Sequence, residues 1–129
     1  MISHAAVTVS SLENLQEFFE QVMQFQFLYK YGIDRKAAQE IFGISIPTEV
    51  YVYRSDQDWI EVFINRDYQH SPQSFNHICF RITDLPGVVL RGEDKGYKFT
   101  RYRKQDHTIL FIIDKDENYY ELKKANNSE

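Results

Sequence analysis

Short stretches in which apolar and polar residues alternate occur along the whole chain. Such alternation places apolar side chains on one face of a β-strand and polar ones on the other. In Trp59–Asn65, for example, Ile60, Val62 and Ile64 share the face opposite Glu61. The pattern predicts strands at His4–Val9, Gln26–Tyr31, Glu49–Arg54, Trp59–Asn65, His77–Ile82, Lys98–Arg103, Thr108–Asp114 and Tyr119–Lys123.

The first predicted helix follows the first strand. Ser10 to Glu13 has the form of a capping box, in which the Ser10 hydroxyl and the Glu13 carboxylate each accept a hydrogen bond from a free backbone N–H. From Leu12 to Met23, apolar residues recur at helical spacing. We therefore predict a helix with one apolar face that packs on the strands.

Two shorter helices are predicted from their ends. Asp34 can cap a helix over Arg35–Phe42, which Gly43 would end. The other spans Leu85–Lys95 and stops at a glycine. The helix near Asp34 belongs to an extra segment, 33–45, that the second half of the chain lacks.

The predicted elements run in the order β-α-β-β-β twice, which makes the fold class α+β with two tandem βαβββ modules. We expect one domain over the 129 residues, a length that suits a single core. Its parts are module 1 at about 1–65, a linker at 66–76, module 2 at about 77–124 and a tail at 125–129.

Composition and charge narrow the class of protein. With 43% hydrophobic residues the chain is globular, and its net charge of -4 comes with scattered lysines and arginines rather than a basic stripe. Binding to nucleic acid is therefore not expected. No apolar stretch approaches the ~18 residues of a membrane span, so no membrane partner is expected. The single cysteine, Cys79, excludes an internal disulfide and favours a cytoplasmic location.

Two histidines and two glutamates occupy matching places in the two halves. His4 and His77 open the first strand of each module, and Glu61 and Glu121 lie in the last. In all four strands the face opposite these residues is apolar and suits packing against a helix, whereas their own face is mixed and polar. Such a face is typical of a pocket.

The four side chains together predict a site for one divalent metal ion. Each residue alone has an ordinary explanation as a surface or ion-pairing group, and the recurrence at equivalent positions favours a shared role. Two carboxylates offset a dication, and two neutral imidazoles add affinity. Ligands of this kind suit Zn, Ni, Co, Mn or Fe without selecting one of them.

The repeat order and the ligand order His4, Glu61, His77, Glu121 resemble the vicinal oxygen chelate superfamily over about residues 2–124. That superfamily includes glyoxalase I, methylmalonyl-CoA epimerase, extradiol dioxygenases, and fosfomycin and bleomycin resistance proteins. The resemblance implies curved sheets that form a metal-binding cleft. The full set of four ligands is most similar to glyoxalase I, because the dioxygenases and fosfomycin transferases generally lack the ligand equivalent to Glu61.

The resemblance implies an enzyme: a glyoxalase-like isomerase, lyase or epimerase that moves a proton through a metal-stabilised enediolate of a small oxygen-chelating substrate. Glu121 is the expected base, with Glu61 second. The alternatives are a ring-cleaving dioxygenase, a fosfomycin-type transferase, or a non-catalytic small-molecule-binding protein. The resemblance also favours a homodimer, since superfamily members often build the cleft between chains.

Three further residues are expected to contact substrate. Asn65, four residues after Glu61, matches a polar substrate-contacting position of glyoxalase I, and Arg81 shares a face with His77 and could hold an anionic group. Thr8 stands where glyoxalase I commonly has an arginine for glutathione. A second departure is Asp114–Asn118, which replaces the usual Asp-Pro-Asp-Gly turn. The substrate therefore need not contain glutathione.

Overall fold

The computed structural model describes residues 1–125, so the predicted tail lies outside the described residues except for Ala125. The predicted order of elements is confirmed, with boundaries that shift by one or two residues. The strands are β1 (His4–Val9), β2 (Gln26–Ile33), β3 (Thr48–Ser55), β4 (Asp58–Ile64), β5 (Ile78–Ile82), β6 (Lys98–Lys104), β7 (His107–Ile113) and β8 (Tyr119–Lys124). The helices are α1 (Leu12–Leu15), which continues as a π-helical segment (Gln16–Val22), α2 (Arg35–Phe42) and α3 (Leu85–Asp94).

The strands form two four-stranded sheets with the same topology. Their orders are β1-β4-β3-β2 and β5-β8-β7-β6. In each sheet the first strand pairs with the last in parallel, and the other neighbours are antiparallel. A parallel pair needs a crossover connection, which the intervening helix and strands supply.

The chain forms two compact units, the first ending at Tyr68 and the second beginning at Gln69. Each unit buries the apolar face of its own sheet. In the first unit Phe19 stacks on Tyr53, with ring centroids 5.7 Å apart. In the second, Phe80 stacks on Tyr120 at the same separation. The first stack joins the helical segment to β3, whereas the second joins the neighbouring strands β5 and β8.

The first helix differs in detail from its prediction. Ser11, and not Ser10, is the N-cap, because the helix begins at Leu12 and the Ser11 hydroxyl accepts the N–H of Asn14. Beyond the first turn, hydrogen bonds skip one residue more than in an α-helix, as from the N–H of Met23 to the carbonyl of Phe18. Apolar spacing does not distinguish this widened turn from an ordinary one. Leu12, expected on the apolar face, is largely exposed.

The extra segment of the first half is α2 with its flanking turns, inserted between β2 and β3. Asp34 caps α2 by accepting the N–H of Ala37 at 2.8 Å, as predicted. Gly43 ends the helix in the left-handed region, at φ 72°. The equivalent connection in the second half, between β6 and β7, is the short turn at Gln105–Asp106. None of the helices in the described residues combines the length and the apolar character needed to cross a membrane.

The loop between β7 and β8 is organised around the buried carboxylate of Asp114. Its oxygens accept hydrogen bonds from the backbone N–H groups of Asp116 and Asn118, the Asn118 side-chain amide and the Tyr120 hydroxyl. Burial raises the pKa of Asp114 in spite of these bonds. Glu117 occupies the left-handed region at φ 67°, which favours glycine. A side chain at this φ is disfavoured sterically.

Replacing Glu117 with glycine is therefore expected to stabilise the protein. The gain in the free energy of unfolding should be about 0.5–1 kcal/mol, because relief of the left-handed backbone outweighs the extra entropy of glycine in the unfolded chain. Denaturant unfolding of the purified variant measures it. Glu117→Ala is the control, since it removes the charge but keeps the Cβ, and it should not stabilise. Equal stabilisation by both variants would contradict a backbone origin.

Candidate metal centre

In the first unit, strand pairing brings His4 beside Glu61. His4 begins β1 and Glu61 lies in β4, where it is paired in parallel register with Ala6. The imidazole Nε2 of His4 is 3.7 Å from the carboxylate Oε1 of Glu61, and the Glu61 side chain is only 14% exposed. We call these two residues half-site 1.

The second unit repeats the arrangement with His77 and Glu121. Glu121 lies in β8 and is paired with Cys79 of β5. The Nε2 of His77 is 3.5 Å from the Oε1 of Glu121, whose side chain is 18% exposed. We call these two residues half-site 2. In both sheets the histidine precedes the partner of the glutamate by two residues, so the two half-sites occupy the same register.

Both pairs have the chemistry and spacing of neighbouring ligands on one cation. A hydrogen bond between an imidazole nitrogen and a carboxylate would bring the two atoms to about 2.8 Å. Two ligands about 2.1 Å from one metal ion, at right angles or at the tetrahedral angle, are roughly 3.0–3.4 Å apart. The observed distances of 3.7 and 3.5 Å are nearer to the second geometry. Each half-site therefore fits as two ligands of a divalent ion.

A backbone contact orients His77 for this role. Its Nδ1 lies 2.8 Å from the carbonyl oxygen of Phe75, which only a protonated Nδ1 can satisfy. This contact occupies Nδ1 and leaves Nε2 as the ring nitrogen that faces Glu121, the arrangement found in metal-binding histidines. The ring also meets Phe111 edge-on, with centroids 5.0 Å apart. His77 is thus held in one orientation.

Tyr31 is a site residue that the sequence did not reveal. Its hydroxyl donates to the Oε1 of Glu61 at 2.8 Å. Burial, and then the bond to Glu61, raises the pKa of Tyr31 to about 12. The phenol therefore stays protonated at neutral pH and fixes the Glu61 carboxylate. The internal repeat is the sequence signal that could have identified Tyr31, because Tyr31 and Tyr102 occupy equivalent register positions in β2 and β6.

A pocket of about 490 Å³ adjoins half-site 1. His4 and Glu61 line one side and Tyr31 of β2 another, while α2 contributes Ile41 and Phe42. Phe63 of β4 also lines it. All of the lining residues belong to the first unit.

The other predicted substrate contacts lie apart from this pocket lining. The Asn65 amide oxygen accepts the N–H of Asp67 at 2.9 Å, in the turn after β4. Thr8 is half-buried in β1, paired with Phe63 of β4. Arg81 is exposed on β5, in register with a lysine of β8. Asn65, Thr8 and Arg81 could therefore contact a substrate only if it extended beyond the pocket at half-site 1.

The other two histidines and the single cysteine lie outside the two half-sites. The Nδ1 of His107 is 3.3 Å from an Asp106 oxygen, and His70 lies near the ring of Tyr119. Burial is the main cause that raises the pKa of the Cys79 thiol, and the nearby Glu121 adds to it. A raised pKa opposes a nucleophilic role. Within residues 1–125, no group of three or more metal-binding side chains lies together.

Two βαβββ units with a histidine and a glutamate at the same register in each define the vicinal oxygen chelate class of protein. The chain matches the family model of the Glyoxalase/Bleomycin resistance protein/Dioxygenase superfamily over residues 3–111, and it belongs to that superfamily. The expected family resemblance is confirmed. No curated protein sequence matches the chain.

Solved structures share the fold at low sequence identity. A mutant of the fosfomycin resistance protein FosX from Listeria monocytogenes, solved with Mn(II) and 1S,2S-dihydroxypropylphosphonic acid, is 18% identical with a TM-score of 0.72. The match covers 98% of this chain and 94% of that one. FosX from Mesorhizobium loti is 19% identical with a TM-score of 0.68, at 98% and 93% coverage. Glyoxalase I of Leishmania major is 16% identical with a TM-score of 0.71, at 96% and 86% coverage.

The contact between Tyr31 and Glu61 predicts a measurable titration. In metal-free protein the Tyr31 phenol should ionise near pH 12, and its stabilising contribution, complete below about pH 10, should disappear as the pH rises through 12. Glu61→Gln removes the neighbouring charge and should lower the pKa of Tyr31, which stays above 10 because burial, the larger cause, persists. NMR of labelled tyrosine measures the pKa of Tyr31. The Tyr31→Phe variant, which lacks this tyrosine, identifies the Tyr31 signal in the spectrum.

Glu49→Gln is the matched control for this titration. Glu49 is also a strand carboxylate of the first unit, but it pairs with Lys30 rather than with Tyr31. That variant should leave the pKa of Tyr31 unchanged. Equal effects of the two glutamine variants would show that the Tyr31 hydroxyl does not bond Glu61.

Proposed function

We propose that the protein is a metal-dependent enzyme of the glyoxalase type, an isomerase, lyase or epimerase that moves a proton on a small substrate with neighbouring oxygens. The observation that carries the proposal is the repetition of the histidine–glutamate pair, at 3.7 Å in one unit and 3.5 Å in the other. Membership of a superfamily that contains such enzymes supports it. Half-sites 1 and 2 would together supply the four protein ligands.

The bound cation would be one of Zn, Ni, Co, Mn or Fe, and it would supply Lewis acidity that makes a substrate C–H next to a chelating oxygen more acidic. The chain's own groups then divide the remaining work. The imidazoles and carboxylates hold the ion and leave positions for substrate. A carboxylate beside those positions takes the proton from carbon and returns it to a neighbouring atom or to the other face.

Glu121 is the better candidate for the base. The Tyr31 hydroxyl occupies Oε1 of Glu61 and restrains that carboxylate as a ligand. Within residues 1–125, no hydroxyl donor hydrogen-bonds the Glu121 carboxylate, and the Nε2 of His77 lies 3.5 Å from its Oε1. A carboxylate with a free lone pair can accept a proton without first losing a hydrogen bond. Glu61 therefore suits a fixed ligand, and Glu121 suits proton transfer.

A second candidate is a fosfomycin-modifying enzyme. The observation that favours it is the similarity over 98% of this chain to FosX structures, one of which was solved with Mn(II) and a dihydroxypropylphosphonic acid. An assay that follows loss of fosfomycin with Mn²⁺-loaded protein tests this candidate. Consumption of fosfomycin without isomerase activity would favour it over the first proposal.

Metal binding is the first test, and we expect one divalent ion per chain and two per proposed homodimer. Elemental analysis beside light scattering gives both numbers. His4→Ala and His77→Ala should each weaken Mn²⁺ or Ni²⁺ binding by more than about 100-fold, since loss of an outer-shell partner alone costs 10–100-fold. His107→Ala is the control, because that ring pairs with Asp106, and it should bind normally. Unchanged affinity in both ligand variants would refute the site.

Activity is the second test. Metal-loaded protein should convert the hemithioacetal of an α-ketoaldehyde and a thiol, or epimerise an acyl thioester, and should incorporate deuterium from D₂O into product. Glu121→Gln should lower kcat by about 10²–10⁴-fold. Tyr31→Phe, which frees Glu61 without removing a carboxylate, should lower it far less. If Glu121→Gln left kcat unchanged in metal-loaded protein, the assignment of the base would be wrong.

A further inference from the structure

The helix α2, found in the first unit alone among the described elements, gives the pocket beside half-site 1 an apolar wall. Ala37, Ile41 and Phe42 of α2 line it. Ile41 is 68% exposed, and Phe42 meets Phe63 of β4 edge-on at 5.6 Å. Large apolar side chains held beside a polar site are typical of ligand pockets. The wall lies next to the carboxylate of Glu61, which also lines the pocket.

The ionisable side chains that line the same pocket disfavour an anionic ligand. Its ionisable lining groups are His4, Tyr31, Asp34 and Glu61, and no lysine or arginine of the described residues lines it. Asp34 also accepts the N–H of Ala37 at the start of α2. A bound dication would offset the charge of Glu61, but a phosphonate or carboxylate in this space would still meet the carboxylate of Asp34 and no cationic side chain, which costs binding energy. An uncharged apolar group meets no such cost.

We infer that this pocket binds an uncharged alkyl or aryl substituent of the substrate, next to the oxygens that chelate the metal, and that Ile41 of α2 selects for it. The inference rests on the proposed function, because half-site 1 would then hold the ion beside the substituent. It narrows the substrate class to compounds whose group on this side of the metal is neutral. A phosphonate or peptide portion would have to lie on another side.

Alkyl hydroxamates test the inference, since they chelate metal ions through two neighbouring oxygens. With Mn²⁺-loaded protein, affinity should rise from acetohydroxamate to hexanohydroxamate by up to about fourfold per added methylene. Succinic monohydroxamate, whose tail is anionic, should bind more weakly than butanohydroxamate. Equal affinity along the alkyl series, or tighter binding of the anionic tail, would overturn the inference.

Ile41→Ser should reduce the ratio of hexanohydroxamate to acetohydroxamate affinity by at least about threefold. Leu90→Ser is the matched control, because Leu90 of α3 is a similarly exposed aliphatic residue, at 67%, in the other unit. It should leave the ratio unchanged. Both positions are exposed, so folding should be retained. Equal ratios in the two variants would remove Ile41 from the selection.

Metal-free protein separates this inference from the proposed function. Added 1-hexanol should shift the amide NMR signals of α2 at Ala37 and Phe42, and Ile41→Ser should weaken the shift. If acetohydroxamate failed to bind metal-loaded protein while hexanol still shifted α2, the metal enzyme proposal would fail and the apolar pocket would stand. If hexanol left α2 unshifted, the pocket would fail whatever the metal result.

Discussion

Both half-sites depend on the register of one parallel strand pair in each sheet. Pairing of Ala6 with Glu61, and of Cys79 with Glu121, sets each histidine beside its glutamate. Because side chains alternate along a strand, a slip of one residue would turn both carboxylates into the apolar layer. The buried residues on the opposite face, such as Val62 and Leu122, hold the register by making that slip costly. The metal chemistry proposed for the site is therefore supported by ordinary core packing.

Much of the fold was readable because two independent signals agreed. Alternation located the strands, and the repeat of His4 and Glu61 at His77 and Glu121 fixed the order of elements. The helix α2 was also predictable, since Asp34 and a glycine mark its two ends. The N-cap of α1 was predicted less exactly, because two adjacent serines can each cap the helix. The structure uses Ser11 rather than Ser10.

Other features of the site follow from three-dimensional contacts that no local pattern encodes. Tyr31 is 30 residues from Glu61 in the chain, and their hydrogen bond requires both side chains to lie on the same face of the sheet, across β3. The orientation of the His77 ring depends on its contact with the backbone carbonyl of Phe75, a group that every residue possesses. Sequence patterns report which side chains are present, whereas these contacts depend on where the backbone carries them.

The insertion of α2 in only one half has a stereochemical consequence. Two identical half-sites would offer the same surroundings to either end of a ligand with two oxygens, and the ligand would bind in two orientations with equal ease. Here half-site 1 has the pocket walled by Ile41 and Phe42, whereas half-site 2 has the ring of Phe111 against His77. At the proposed site, unequal surroundings would favour one orientation of the substrate and would present one face of its carbon to the base. The broken symmetry of the repeat would then let the proposed enzyme distinguish mirror-image substrates.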